Sequence, residues 1–246
     1  MQSIKLLVLV SMLIGIFLHS EKSYSKESLV VAFSLLPPWK VINSGQFEGA
    51  YAELIRELAK KLNMQIEFNK CPLKRCLKMM EDGTADIIIG INDHSERKKY
   101  IQFINTPIKM STAKVFYLKK GGRHTIQKYE DLKKLKVIGT KLGAKYFTQF
   151  DNDTELHKYP VTDNTQILLM LILDRIDAVA ISEDQGEYLI SMLRIRGEVE
   201  KAIYSHKDYS PRYIGISKKS HYFSKIDKIE SAMNQISESG RLDEIM

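Results

Sequence analysis

The segment Ile87-Ile-Ile-Gly-Ile91 constrains the fold more than any other stretch of the chain. Isoleucine at nearly every position leaves a strand with no polar face, so it belongs in a sheet covered on both sides. The flanks say what covers it. From Tyr51 the apolar residues fall at Tyr51, Leu54, Ile55, Leu58, Ala59 and Leu62, the spacing of an amphipathic helix. Met64 to Phe68 reads as a strand, and a second helix runs from Pro72 to about Glu81, stopped by Asp82-Gly83. Leu29 to Phe33 supplies an earlier strand, followed by Pro37-Pro38 and a turn around Gly45. Strands separated by amphipathic helices predict βαβ units and a mostly parallel sheet.

The alternation restarts after residue 112. Lys114 to Leu118 reads as a strand, Gly121-Gly122 as a turn and Tyr129 to Leu135 as a short helix. Lys136 to Gly139 is a strand entering the Gly143 loop, with a helix expected from Ala144. A helix over Asp163 to Leu173, capped by Thr162 or Asp163, precedes a strand at Ala178 to Ile181 and a helix through Arg194. The tail, Ser224 to Ile236, places Ile226, Ile229, Met233 and Ile236 on one helical face. Periodicity alone supports an α/β protein of one or two domains.

Residues 1–25 read as a secretory signal peptide: Lys5 is followed by the uncharged stretch Leu6 to Leu18 and by a Ser23-x-Ser25 cleavage pattern. That stretch is shorter than the roughly 20 apolar residues a membrane span needs, which favours a cleaved signal over an uncleaved anchor, and no stable membrane insertion is expected after cleavage. No cysteine follows it to carry a lipid. The net charge of +7 is spread along the chain, with short clusters such as Lys133-Lys134, and no nucleic-acid motif accompanies it. Cys71 and Cys76 are the two cysteines. An oxidising compartment favours pairing them. Residues five apart within a regular helix are too distant to bridge, but Pro72 at the first helical position leaves Cys71 free to turn back. A local disulfide is therefore expected.

Several segments together resemble the family 3 extracellular solute-binding proteins, the group that includes polar amino-acid receptors of ABC importers. Leu29-Val-Val-Ala-Phe33 with Pro37-Pro38-Trp39 resembles the family's first strand and Pro-Pro-aromatic loop. Phe47-Glu-Gly-Ala-Tyr-Ala-Glu-Leu54 resembles the entry to its first helix. Asp82-Gly-Thr-Ala-Asp86, Ser95-Glu-Arg97 and Phe103-x-x-Thr-Pro107 follow in the family's order, and Asp174-Arg-Ile-Asp-Ala178 resembles its second-lobe Gly-x-x-Asp-Ala segment. The resemblance implies a periplasmic binding protein type II-like clamshell, two βα lobes joined by two hinge strands. Residues 26–110 and 212–246 would form lobe 1 and 111–211 lobe 2, with hinges near Ile108–Thr112 and Asp208–Arg212. It also implies a periplasmic monomer that captures a small polar solute, anionic or zwitterionic, for an ABC permease.

Arg97 matches the family's carboxylate-gripping arginine, and a guanidinium offers a planar fork to two oxygens at any physiological pH. Asn92 and Asp93 precede it and are candidates to orient it or touch ligand. Three departures narrow the solute. The Asp86–Arg97 interval is one residue shorter than in amino-acid receptors. The position of a carboxylate-binding hydroxyl reads Leu142-Gly143-Ala144, leaving Gly143 and Ala144 to offer backbone amides at an expected helix start. The acidic partner of a ligand ammonium falls at Ser182; either Glu183 replaces it or the ligand has no α-ammonium. Pro72-Leu-Lys-Arg75 resembles a branch with a Pro-x-x-Arg motif, in which Arg75 is either a second cleft cation or a solvated helix residue. Trp39 is either an aromatic cleft wall or core, and Tyr51 is either a cleft residue or, as its place in the helix stripe favours, core.

No hydrolase, zinc-protease or phosphate-loop motif occurs, and the histidines after the signal (94, 124, 157, 206, 221) are dispersed. Loop polarity accounts for Asp93-His94 with Glu96, so no metal, cofactor or catalytic residue is expected. A sensing module without transport is the alternative reading; a dehydratase-type enzyme, with Glu183 its one proton-transfer candidate, is the remoter one.

Overall fold

The computed structural model describes residues 28–110, 112–207 and 211–246. The expected signal peptide lies outside these residues, as do Ser111 and Asp208–Ser210 of the expected hinges. Among the described residues no helix is long and apolar enough to cross a membrane.

The chain opens with β1 (Ser28–Phe33), a short hairpin of β2 (Val41–Asn43) and β3 (Gln46–Glu48), and helix α1 (Ala50–Lys61). Next come β4 (Gln65–Lys70), α2 (Leu73–Asp82), the isoleucine strand β5 (Ile87–Ile91), the single turn α3 (Ser95–Lys98), β6 (Ile101–Phe103) and β7 (Lys109–Met110). The central part holds β8 (Lys114–Lys119), a 3₁₀ turn at Tyr129–Lys134, β9 (Ile138–Lys141), α4 (Thr148–Asn152), β10 (Lys158–Val161) and α5 (Asn164–Ile172). Then follow β11 (Ala178–Ser182), α6 (Glu183–Met192), β12 (Val199–His206), β13 (Pro211–Ser217), α7 (Ile226–Glu238) and α8 (Arg241–Ile245).

These strands form two main sheets. The first has the order β4-β1-β5-β13-β6, with β7 also pairing β13; the second has the order β10-β9-β11-β8-β12. Each is covered on both faces. One side of the first sheet meets α1, α7 and α8 through Leu29, Val31, Ile87, Ile89, Ile214 and Ile216, and the other meets α2 through Ala32, Ile88, Cys76 and Met80. In the second sheet Val115, Tyr117, Val179 and Ile181 pack on α5 and α6, while Phe116, Leu118, Ile138 and Ala178 pack toward α4 and the 3₁₀ turn.

The expectation of a mostly parallel sheet holds for half of each. β1 pairs β4 and β5 in parallel, and β9 likewise pairs β10 and β11. The strands that connect the two sheets return antiparallel: β13 runs against β5, β6 and β7, and β8 against β11 and β12. The reason is the path of the chain, which leaves the first sheet by β7 and comes back by β13. Pro211 and Arg212 pair with Met110 and Lys109, so the outgoing and returning segments lie side by side.

The Gly143 region departs from expectation. No helix begins at Ala144; α4 starts at Thr148. Gly143 has φ +83°, the Ala144 amide bonds back to the Lys141 carbonyl at 3.0 Å, and the Asp151 carboxylate takes the Tyr146 amide at 3.1 Å. The chain thus makes a turn where a helix start was expected. The Ala144 and Tyr146 amides are spent inside that loop.

Cys71 and Cys76 form the expected disulfide. Pro72 is the N-cap of α2, so Cys71 sits just outside the helix and Cys76 within its first turns.

Candidate functional site

In each sheet the chain leaves the first parallel strand to one side and comes back on the other. β1 therefore lies between β4 and β5, and β9 between β10 and β11. The carboxyl ends of strands at such a reversal splay apart and leave a crevice, the usual ligand position in open α/β sheets. Here the two crevices face each other. One cleft is lined by Ser34 and Leu36 after β1, Gly90 to Asn92 at the end of β5, Lys141 and Ala144 to Tyr146 after β9, and Ile181, Ser182 and Gln185 at the end of β11.

The cleft is basic. Lys40, Arg97, Lys114, Lys141, Lys145 and Arg212 line it, and no aspartate or glutamate occurs among the described lining residues. Lys40 is fully buried, and its ammonium donates to the Ile89 carbonyl at 2.8 Å and Ser34 Oγ at 3.2 Å. Loss of hydration, then repulsion by Lys141 and Arg212, holds its pKa well below the ordinary lysine range. Lys141 is pushed down to about 8, chiefly by burial, with Asp163 opposing and Arg212 adding to the shift. Lys114, buried at the start of β8, donates to Ser182 Oγ at 2.8 Å. Arg212 donates to the Gly90 carbonyl at 3.1 Å.

Arg97 spans the cleft. It is buried in α3, and it donates through Nη1 to the Asn92 carbonyl at 3.1 Å and through Nη2 to the Gly143 carbonyl, on the other sheet's loop, at 3.2 Å. Burial lowers its pKa, yet a guanidinium stays charged. Other contacts between the two sides are Lys141 Nζ to the Leu35 carbonyl at 2.7 Å and the Lys145–Glu96 pair at 2.9 Å. Two polar side chains in the wall are incompletely satisfied: Asn164 Oδ1 and Gln185 Nε2 are buried with no hydrogen-bond partner. Such groups are rare in folded proteins, and these two present a polar acceptor and a polar donor at the cleft wall.

Of the residues singled out from sequence, Arg97, Asn92, Ala144 and Ser182 line the cleft, and Gly143 borders it through its carbonyl. The other four stand elsewhere. Asp93 pairs with Lys98 at 2.7 Å on a neighbouring surface depression. Glu183 begins α6 and meets Lys201 at 2.6 Å. Arg75 is exposed on α2. Trp39 is buried in the first sheet's core, 6.2 Å from the Tyr51 ring, with Lys109 Nζ 3.8 Å over its face. The lysines at 40, 114 and 141 were missed, although Lys114 opening an otherwise apolar strand was a readable signal.

The profile of the bacterial extracellular solute-binding proteins, family 3, matches residues 29–246. The chain belongs to this family. A probable histidine-binding protein of Neisseria gonorrhoeae is 22% identical over 216 residues, covering 85% of this chain and 77% of that relative. Among solved structures, an ancestral arginine-binding protein bound to arginine superposes with a TM-score of 0.76 at 22% identity, over 89% of this chain and 96% of that one. An arginine-specific periplasmic binding protein of Salmonella typhimurium superposes at 0.75 with 14% identity, over 89% and 97% of the two chains. This solute-binding protein has the type II periplasmic-binding-protein fold, two sheet-and-helix lobes around a cleft. Its matched relatives are binding proteins.

Proposed function

We propose that the protein captures a small anionic or zwitterionic solute in the cleft between its two lobes, in the periplasm, and presents it to the permease of an ABC importer. Residues up to about 110 and from about 212 form one lobe, those between form the other, and the β7 and β13 segments are the hinge. The observation that carries this reading is a buried arginine, with four further lysines and Arg212, at the point where the carboxyl ends of both parallel strand sets converge. Arg97 has five N–H groups, of which the Asn92 and Gly143 carbonyls engage one each, so an oxyanion can be taken by the rest. The amino-acid-binding relatives support a carboxylate as that anion.

The test is a thermal-shift screen of the chain lacking residues 1–25 against amino acids and organic acids, since a ligand bound only by the native state raises the melting temperature. At least one carboxylate raises it, and Arg97→Ala, folded by circular dichroism, abolishes the rise. Undiminished affinity in that variant removes Arg97 from the site.

A further inference from the structure

An α-amino acid brings an ammonium as well as a carboxylate into its site. A buried ammonium needs acceptors, and it is best served by a carboxylate, because a desolvated charge must be matched in kind. The described walls of this cleft offer none. At the end of β11, Ser182 provides a hydroxyl, and that hydroxyl already accepts from the Lys114 ammonium at 2.8 Å. A second ammonium brought here meets a like charge. The acids that open α6 are engaged by other cations: Glu183 pairs with Lys201 at 2.6 Å, and Asp184 lies 3.6 Å from Lys109. Asp163 beside Lys141 caps α5 through the Thr165 and Gln166 amides at 2.7 and 3.3 Å.

Among the described lining residues, by contrast, positive charge predominates. Arg97 accounts for one ligand carboxylate, leaving Lys40, Lys114, Lys141 and Arg212 clustered in the rest of the cleft. Burial first, and then repulsion among the cations, lowers the proton affinity of Lys40 and Lys141. Gln185 Nε2 adds a buried donor with no partner. The neutral acceptor, Asn164 Oδ1, suits a hydroxyl, and its amide can turn to present a donor instead. We propose that the solute is a small dianion without an ammonium group, a dicarboxylate or hydroxydicarboxylate, held by Arg97 at one end and by Lys114, Lys141 and Gln185 at the other.

This rests on the solute-capture reading above, and the experiment separates the two. Titration calorimetry of the protein lacking residues 1–25 compares succinate, malate and aspartate, then glutarate, 2-hydroxyglutarate and glutamate. Within each set only one substituent changes, from hydrogen to hydroxyl to ammonium. The expected order places the ammonium compound at least tenfold weaker than the better of its two partners, in one set or both. Lys114→Met is expected to cost the dianion tenfold or more and to narrow its advantage over the amino acid. If aspartate, glutamate, arginine or histidine binds as tightly as the best dianion, the dianion proposal falls while solute capture stands. If none of these compounds binds, the dianion proposal is overturned, and a broader screen then decides the capture reading.

Discussion

Lys141 ties the cleft's charge to pH. Its folded pKa of about 8 lies below the ordinary 10.5 of an unfolded lysine. Between those values the unfolded chain holds a proton that the folded chain has lost, so stability of the ligand-free protein rises as pH climbs from about 8 to 10.5. Anion binding has the opposite sign. An anion favours the charged lysine, so affinity is full below about pH 8 and falls above it. Calorimetry from about pH 6.5 to 9.5, a range spanning that pKa, is expected to show this decline, and Lys141→Met to flatten it. A decline unchanged in that variant assigns the titration elsewhere. Lys141 was invisible in the sequence because a lysine before Leu142-Gly143 looks like any surface lysine. Only the fold, which buries the turn after β9 against the loop after β1, gives it a role.

At the scale of elements, the loop after β9 and the start of α2 meet across the cleft. Gly143 sits at φ +83°, and a Cβ placed there comes 3.1 Å from the backbone N and Cα of Lys74. Alanine would strain the left-handed backbone and also wedge the two sides apart. Gly143→Ala is expected to weaken ligand binding by about tenfold, roughly 1.4 kcal/mol, while lowering the ligand-free melting temperature only slightly. Small-angle scattering with ligand would then show a less compact particle than the wild type; an unchanged affinity shows that this contact does not limit closure. Long elements were well marked in sequence, as in α1 and the isoleucine strand β5, because amphipathic spacing and two-sided burial leave clear patterns. The helix expected at Ala144 was not there because Asp151 and the Lys141 carbonyl capture the amides locally, a side-chain effect that periodicity does not register. The late strands β12 and β13 were hard to read because they carry both polar and apolar residues.

At the scale of the molecule, the cations that suit the cleft for anions burden the empty fold. Lys40, completely buried, illustrates the balance. Burying a charge without a counter-charge costs folding free energy, a cost that an apolar side chain of similar length does not carry. Lys40→Met is therefore expected to melt no lower than wild type without ligand and to bind an anion more weakly. A large drop in melting temperature would instead mean that its hydrogen bonds to Ile89 and Ser34 outweigh the cost of burying the charge. The two-lobed architecture was legible from the order of motifs. The cleft's charge was not, because it is assembled from residues as distant in sequence as Lys40, Lys114 and Arg212.

The Cys71–Cys76 bond gains meaning from this arrangement. It pins the first turns of α2, the surface on which the Gly143 loop lands. A loop so short contributes little to global stability, so its loss frays a helix end and leaves the two sheets intact. The reduced chain is thus expected to remain folded but bind its solute less tightly than the oxidised chain, as calorimetry with and without reductant can measure. Equal affinities would leave the bond a purely local brace. For a chain that acquires this bond only outside a reducing cytoplasm, grip would be switched on by export, and a newly made copy would not sequester the very solute that the cell is importing.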